Sequence, residues 1–299
     1  LSTTMGYMSA TQGHRVSVTG SGTVAAGPGN VDYRLSLGDM RQGNRRSPDG
    51  PLEPSDIKDR SVSGHLGYRV GKHYFGAKAQ AFDMAANAYI GIPGFEVGMP
   101  QRDLRKTSLF YEGSALTPWL TKLNLSAYRQ TIARDFRNDV NVAAGPLQVR
   151  VLSTSLDDQA TWGSTLRAEM RFSEHSRTVA GLEWEDDSIE ANRVTQTSRT
   201  PPGIVNTSLR NDEAKIKTWS AFGQHEVSLG EHWTATAGAR AYRVRANHQS
   251  SIVDSVAQPT TRNSDSALLG SLGLVWSPDK RMSLRANVAQ GYIYPTLGQ

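Results

Sequence analysis

The side chains able to do chemistry in this sequence are mainly arginines and tyrosines, and they gather where alternating runs end. Arg134 and Arg137 close one run, and Arg240, Tyr242, Arg245 and His248 close another. Tyr292 and Tyr294 follow a third, and Tyr89 stands where a fourth gives way to polar sequence. A guanidinium offers forked, charge-assisted hydrogen bonds to an anion, and a tyrosine offers an apolar ring with a polar tip. The set therefore suits non-covalent capture of a small anionic molecule. His248 and Tyr89 are also of the types that ligate haem iron.

Catalytic constellations are harder to find. Cysteine is absent, which removes thiolate nucleophiles and thiolate metal sites together. Ser220 and His225 belong to one alternating run but fall on opposite faces, so they cannot act as a nucleophile and base. No H-E-x-x-H pattern occurs, and His73, His175 and His232 fall in short turns. The acidic run "EWEDDSIE", with Glu183, Glu185, Asp186, Asp187 and Glu190, lacks the spacing of an EF-hand and reads as a solvated strand. The "GSG" and "GPG" stretches lack the Lys-Ser/Thr of a phosphate loop. Neither a catalytic nor a metal site is expected.

The elements that must position these groups are strands. In 161–172, Trp162, Leu166, Ala168, Met170 and Phe172 share one parity, and Thr161, Thr165, Arg167, Glu169 and Arg171 share the other. The same period of two runs through Val31, Tyr33, Leu35 and Leu37, through Leu123, Leu125 and Ala127, and through Met282, Leu284, Ala286 and Val288, the last set within a run expected as a strand from Arg281 to Tyr292. Hydrophobic residues make up 37% of the chain and no apolar run reaches the length of a membrane helix, so a membrane role would have to use strands. The net charge of +5 comes from basic residues scattered singly, which does not fit a nucleic-acid partner.

Connections carry a second signal. Turn-like breaks at 25–30, 71–73, 116–119, 173–176, 230–232 and 277–280 alternate with polar segments at about 42–56, 88–103, 137–158, 195–213 and 249–264, read here as long loops. In an antiparallel meander this puts tight turns at one end and long loops at the other, the asymmetry of an outer-membrane barrel. About thirteen strands are expected, some projecting above the membrane. Closed bacterial barrels have even strand counts, so the expectation is an all-β, antiparallel transmembrane barrel for which either this count is off by a strand or the barrel is incomplete.

Three stretches carry a resemblance to the TonB-dependent outer-membrane receptors. "KTWSAFGQHEVSLGEHWTATAGARAYRV" (217–244) is similar to that family's aromatic-S-x-F-x-Q segment, short turn and G-x-R-Y-like strand. "SPDKRMSLRANVAQGYIYPTLGQ" (277–299) resembles the strand leading into its Ala-Pro-Thr motif, with the Pro-Thr kept at Pro295 and Thr296 and the usual preceding Arg missing. "GNVDYRLSLGDMRQGNRR" (29–46) resembles its first barrel strands. The resemblance implies a 22-stranded barrel around an N-terminal plug. Residues 1–299 would then be an internal part of the barrel, with the plug before Leu1 and further strands after Gln299.

It also implies an active transporter in the outer membrane that imports a scarce ligand, energised by TonB pulling on the plug. A ferric siderophore is the default ligand, and haem, cobalamin or another metal chelate are handled by relatives. Neither enzyme activity nor a cofactor is implied, and the partners would be the bilayer, lipopolysaccharide and the TonB complex around a monomer. A diffusion porin and an outer-membrane barrel hydrolase are the competing readings. The first requires a charged constriction loop, and the second requires a histidine gathered with acidic or serine partners at one rim.

Overall fold

The computed structural model of the chain describes residues 1–279 and 281–294. Its strands are β1 (Ser2–Met8), β2 (Gly13–Ala26), β3 (Gly29–Gln42), β4 (Arg45–Ser47), β5 (Gly50–Leu52), β6 (Ile57–Val70), β7 (His73–Ala88) and β8 (Phe95–Ser114). They continue as β9 (Leu120–Ala144), β10 (Leu147–Ser173), β11 (Ser176–Thr200), β12 (Ile204–Leu229), β13 (Trp233–Val253), β14 (Val256–Ala257), β15 (Arg262–Trp276) and β16 (Leu284–Ala289). β4 and β5 pair with each other, and β14 pairs with the end of β13. The other thirteen strands form one antiparallel meander in chain order, matching the expected number, and among the described residues its two edges do not meet.

Register explains why this sheet prefers lipid to water. Val24, Val31, Tyr68, Phe75, Tyr111, Leu125, Leu166, Leu182, Ala221, Ala241 and Leu268 are successive cross-strand partners from β2 to β15. Partners directly opposite each other point to the same side, so one face carries an unbroken apolar row. The next residues along the strands, including Arg69, Tyr74, Glu112, Asn124 and Arg167, form a polar row on the other face. Leu109, Leu182 and Leu268 are 63%, 55% and 75% exposed, while Val244 is the buried hydrophobic side chain among the described residues. A soluble fold inverts this pattern. Here the apolar side chains have no protein core to enter and are satisfied by hydrocarbon.

Aromatic pairs bound the apolar band. Trp119 stacks near Phe172 and Trp233 near Trp276 at the end of the tight turns, and Trp184 lies beside Trp219 farther along. The ten-residue step on β12 from Leu229, opposite Trp233, to Trp219 rises about 33 Å along the strand. At a tilt of about 40–45° this spans about 25 Å across the membrane, the usual height of the band. His225 and its cross-strand partner Thr178 are polar side chains that face outward within it. The His225 Nδ1 lies 2.8 Å from the Thr178 hydroxyl, so the two polar groups satisfy each other at that nitrogen.

The six expected tight connections all lie at one end, with left-handed glycines at Gly27, Gly71 and Gly230. At the other end the expectation of long loops is corrected. Segment 137–158 is a paired hairpin turning at Gly145 and Pro146, and 195–213 is another turning at 201–203. In 88–103 only residues 89–94 lie outside strands, in 42–56 the connection carries β4 and β5, and in 249–264 β13 continues to Val253. Above the membrane both faces are wet, so a paired strand needs no apolar parity and its composition resembles a loop. Its backbone groups still need partners, which the ladder supplies. β9 to β12 consequently run 25, 27, 25 and 26 residues, far beyond the ~10 needed to cross. The run expected as a strand from Arg281 to Tyr292 is paired only over Leu284–Ala289, and Pro295 and Thr296 lie outside the described residues.

Leu272 faces outward near the middle of the band, opposite Ala237. Leu272→Arg in the intact protein is expected to destabilise the barrel by about 2–4 kcal/mol, and Leu272→Phe to leave it close to wild type. Denaturant unfolding in lipid vesicles measures both. Equal stability of the two variants would place this face away from lipid.

Candidate functional site

The inward faces of β9 to β13, above the level of Trp219, build a cleft of about 570 Å³. Ile189, Ala191, Ala214 and Ala246 give it an apolar floor, and Arg134, Arg193, Arg210, His248 and Tyr294 reach it from different strands. Arg193 and Arg210 are direct cross-strand partners. Two guanidinium groups in that relation repel each other unless negative charge is near.

That charge is only partly supplied. Arg210 Nε donates to Asp212 Oδ2 at 2.6 Å, Ser251 Oγ donates to Asp212 Oδ1 at 2.7 Å, and His248 Nε2 lies 3.5 Å from the same carboxylate. Burial pushes the Asp212 carboxyl up, but the Arg210 and Ser251 hydrogen bonds and the neighbouring His248 outweigh it and leave it below the ordinary range. Arg134 Nε donates to the largely buried Asp157 at 2.9 Å, and Ser155 Oγ supports that carboxylate at 2.7 Å. Arg193 is exposed and makes no ion pair among the described residues. The cleft thus combines an apolar floor with guanidinium charge in excess of its carboxylates, which suits an anionic ligand with a hydrophobic body.

A second inward group sits lower, level with Trp219. Arg240 pairs with Glu183 and donates to Ser220 Oγ at 2.9 Å, with its guanidinium carbon 4.7 Å from the Tyr242 ring centre. Tyr242 stacks on Tyr292 at 5.4 Å, and the Tyr292 hydroxyl donates to Asp265 at 2.9 Å. These side chains form a continuous polar and aromatic lining, with Arg240 already committed to a wall carboxylate.

The remaining sequence candidates lie elsewhere. Arg137 shares its face with Leu125, opposite to Arg134, and clasps Asp139 together with Arg150 on the projecting β9–β10 hairpin. Arg245 shares its face with Ala241, opposite to Tyr242 and His248. Tyr89 stands in the β7–β8 connection, outside both groups. Ser220 and His225 point to opposite faces, as their spacing requires. His73, His175 and His232 lie at the tight-turn end, and Glu183, Glu185 and Asp187 alternate in facing with Asp186 and Glu190. Arg193 and Arg210 have no local motif to mark them, because only register brings them together.

A family model described as TonB dependent receptor-like, beta-barrel matches residues 22–299. The chain belongs to this family. Among solved TonB-dependent receptor structures, the copper transporter OprC superposes with a TM-score of 0.72 at 14% identity, over 95% of this chain and 43% of that one. The ferric yersiniabactin uptake receptor FyuA from Yersinia pestis gives 0.67 at 16%, over 95% and 46%. The ferric-catecholate import receptor Fiu from E. coli K12 gives 0.71 at 8%, over 94% and 52%. At these identities the likeness is one of fold, and the chain spans about half the length of these solved relatives. A comparison with curated protein sequences returns no match.

The Asp139 clasp gives the TonB-dependent receptor hairpin a pH signature. Bidentate hydrogen bonds from Arg150 at 2.8 and 2.6 Å lower the Asp139 carboxyl, burial opposes them, and Arg137 adds a further bond, leaving it at about 2. A lowered folded value means that the stabilisation is complete above the ordinary value of 3.8 and is lost as pH falls through about 2. Pepsin nicking at the Ala144–Leu147 turn is therefore expected to rise between about pH 4 and 2 in the wild type. Asp139→Asn should be nicked readily across the whole interval, and coincident profiles would remove the clasp as the cause.

Proposed function

We propose that this chain forms much of the wall of an outer-membrane active transporter that binds and imports a scarce anionic metal chelate, foremost a ferric siderophore. The observation carrying the proposal is the inward cleft above the aromatic belt, where Arg193 faces Arg210 across two strands beside Arg134 and His248. An anion placed there relieves the repulsion between the arginines and gains charge-assisted hydrogen bonds. The apolar floor favours a chelate with an organic shell over a bare ion. The family supports the energetic half of the reading: uptake against a gradient would be driven by TonB acting on a plug contributed by chain outside these 299 residues.

Two of these fold neighbours are receptors for ferric chelates, the ligand class adopted in this reading. Binding at the mouth would precede passage along the polar inward face, where Arg240, Tyr242 and Tyr292 form the next lining groups. The proposal contains no catalytic step, and the wall's part is capture and guidance.

In the intact receptor, Arg193→Ala combined with Arg210→Ala is expected to weaken binding of the cognate ferric chelate by about 10- to 100-fold, the loss of one or two charge-assisted hydrogen bonds. Iron-limited uptake of the radiolabelled chelate should fall with it. Unchanged affinity in a correctly assembled variant would move the binding site away from this cleft.

A further inference from the structure

The outward face carries a second cationic cleft, and it opens towards lipid rather than towards the lumen. It has a volume of about 440 Å³ and is lined by Lys215, Lys217, Arg245, Asn247, Arg262 and Ser264, four cations without a carboxylate among them. Its position follows from register. Lys217 is two residues from Trp219 on β12, lies directly opposite Arg245 on β13, and shares the outward parity of that tryptophan. Arg245 in turn pairs with Ser264 on β15, and Asn247 pairs with Arg262, whose Nε donates to it at 3.0 Å. The cleft therefore begins one side-chain step above the aromatic belt, where the headgroups of the outer leaflet lie.

The fold leaves this charge largely uncompensated. Asp186 on β11 lies 3.1 Å from the Lys215 ammonium and 3.3 Å from that of Lys217, so one carboxylate serves two lysines. Arg245 is exposed and forms no ion pair among the described residues, and the exposed Arg243, level with Trp219, adds a fifth cation on the same face. Like charges directly across a ladder cost stability, and the single Asp186 carboxylate, shared between Lys215 and Lys217, offsets only part of that cost. A dianionic group seated between β12, β13 and β15 offsets the rest by accepting from several cations at once.

We propose that this outward cleft binds a phosphate group of an outer-leaflet lipid headgroup, with Lys217, Arg245 and Arg262 as its donors. Asn247 and Ser264 supply neutral donors for the sugar or ester oxygens beside such a phosphate, and the apolar row below, through Ala241 and Leu268, meets the acyl chains. The inference rests on the membrane placement of the sheet and not on ligand uptake, so a failed uptake assay would leave it standing.

The test uses the intact receptor, delipidated in detergent and titrated with diphosphoryl lipid A, the dephosphorylated lipid and inorganic phosphate, with bound lipid counted by native mass spectrometry. The diphosphoryl lipid should bind at least about tenfold more tightly than the dephosphorylated form. Combining Lys217→Gln, Arg245→Gln and Arg262→Gln should lower its affinity by about tenfold or more, whereas Lys217→Arg, Arg245→Lys and Arg262→Lys together should retain it. If the neutral triple variant fails to assemble, Arg245→Gln alone provides the test, because that side chain holds no ion pair within the sheet. Equal affinity of the neutral variant, or equal binding of the dephosphorylated lipid, would overturn the proposal. Displacement of the lipid by low-millimolar phosphate would make the cleft a free-anion site and would overturn the lipid assignment.

Discussion

Everything in this molecule depends on the interstrand hydrogen-bond ladder. In hydrocarbon no water can satisfy a backbone N–H or C=O, so each strand must be paired with its neighbour or it cannot stay there. Pairing fixes register, and register decides which side chains form each cross-strand row. The row from Val24 to Leu268 is apolar across eleven strands because a slip of one residue anywhere would send a polar row into lipid. The lack of a conventional core among the described residues follows from the same constraint. The solvent that accepts the hydrophobic side chains lies outside the sheet.

Above the aromatic belt the ladder persists while the demand for an apolar face ends. The long hairpins β9–β10 and β11–β12 continue the wall into water, where hydrogen bonds and ion pairs replace lipid as the source of order. Asp139 between Arg150 and Arg137, and Asp157 against Arg134, occur at this height, and both carboxylates are largely buried. These pairs order the sheet where hydrocarbon no longer constrains it. The inward cleft is built on this extension, so its geometry is set by paired backbone rather than by free loops.

The two cationic clefts share a physical logic and differ in orientation. Each arises where the ladder sets basic residues directly opposite one another, Arg193 with Arg210 inside and Lys217 with Arg245 outside. A sheet selected for stability alone has no reason to keep such pairs. Other wall cations are tied to a carboxylate, as with Arg240 and Glu183 or Arg177 and Glu169.

Much of this was legible in the sequence, because period-two alternation and turn chemistry are local. The parity of Trp162 and Leu166, the six tight connections and the number of strands follow from neighbours a few residues apart. Parity also carries the outward facing of Arg245, which falls in step with Ala235 to Ala241, and of Arg137, which falls in step with Leu123 to Ala127. The sequence could not tell a wet paired strand from a loop, since water on both faces erases the alternation while leaving the pairing intact. Nor could it place Arg193 against Arg210, or Lys217 against Arg245, because register is a relation between separate strands. Only the tertiary structure decided that relation, by pairing the strands so that each apolar row falls on the lipid face, and the positions of both clefts follow from it.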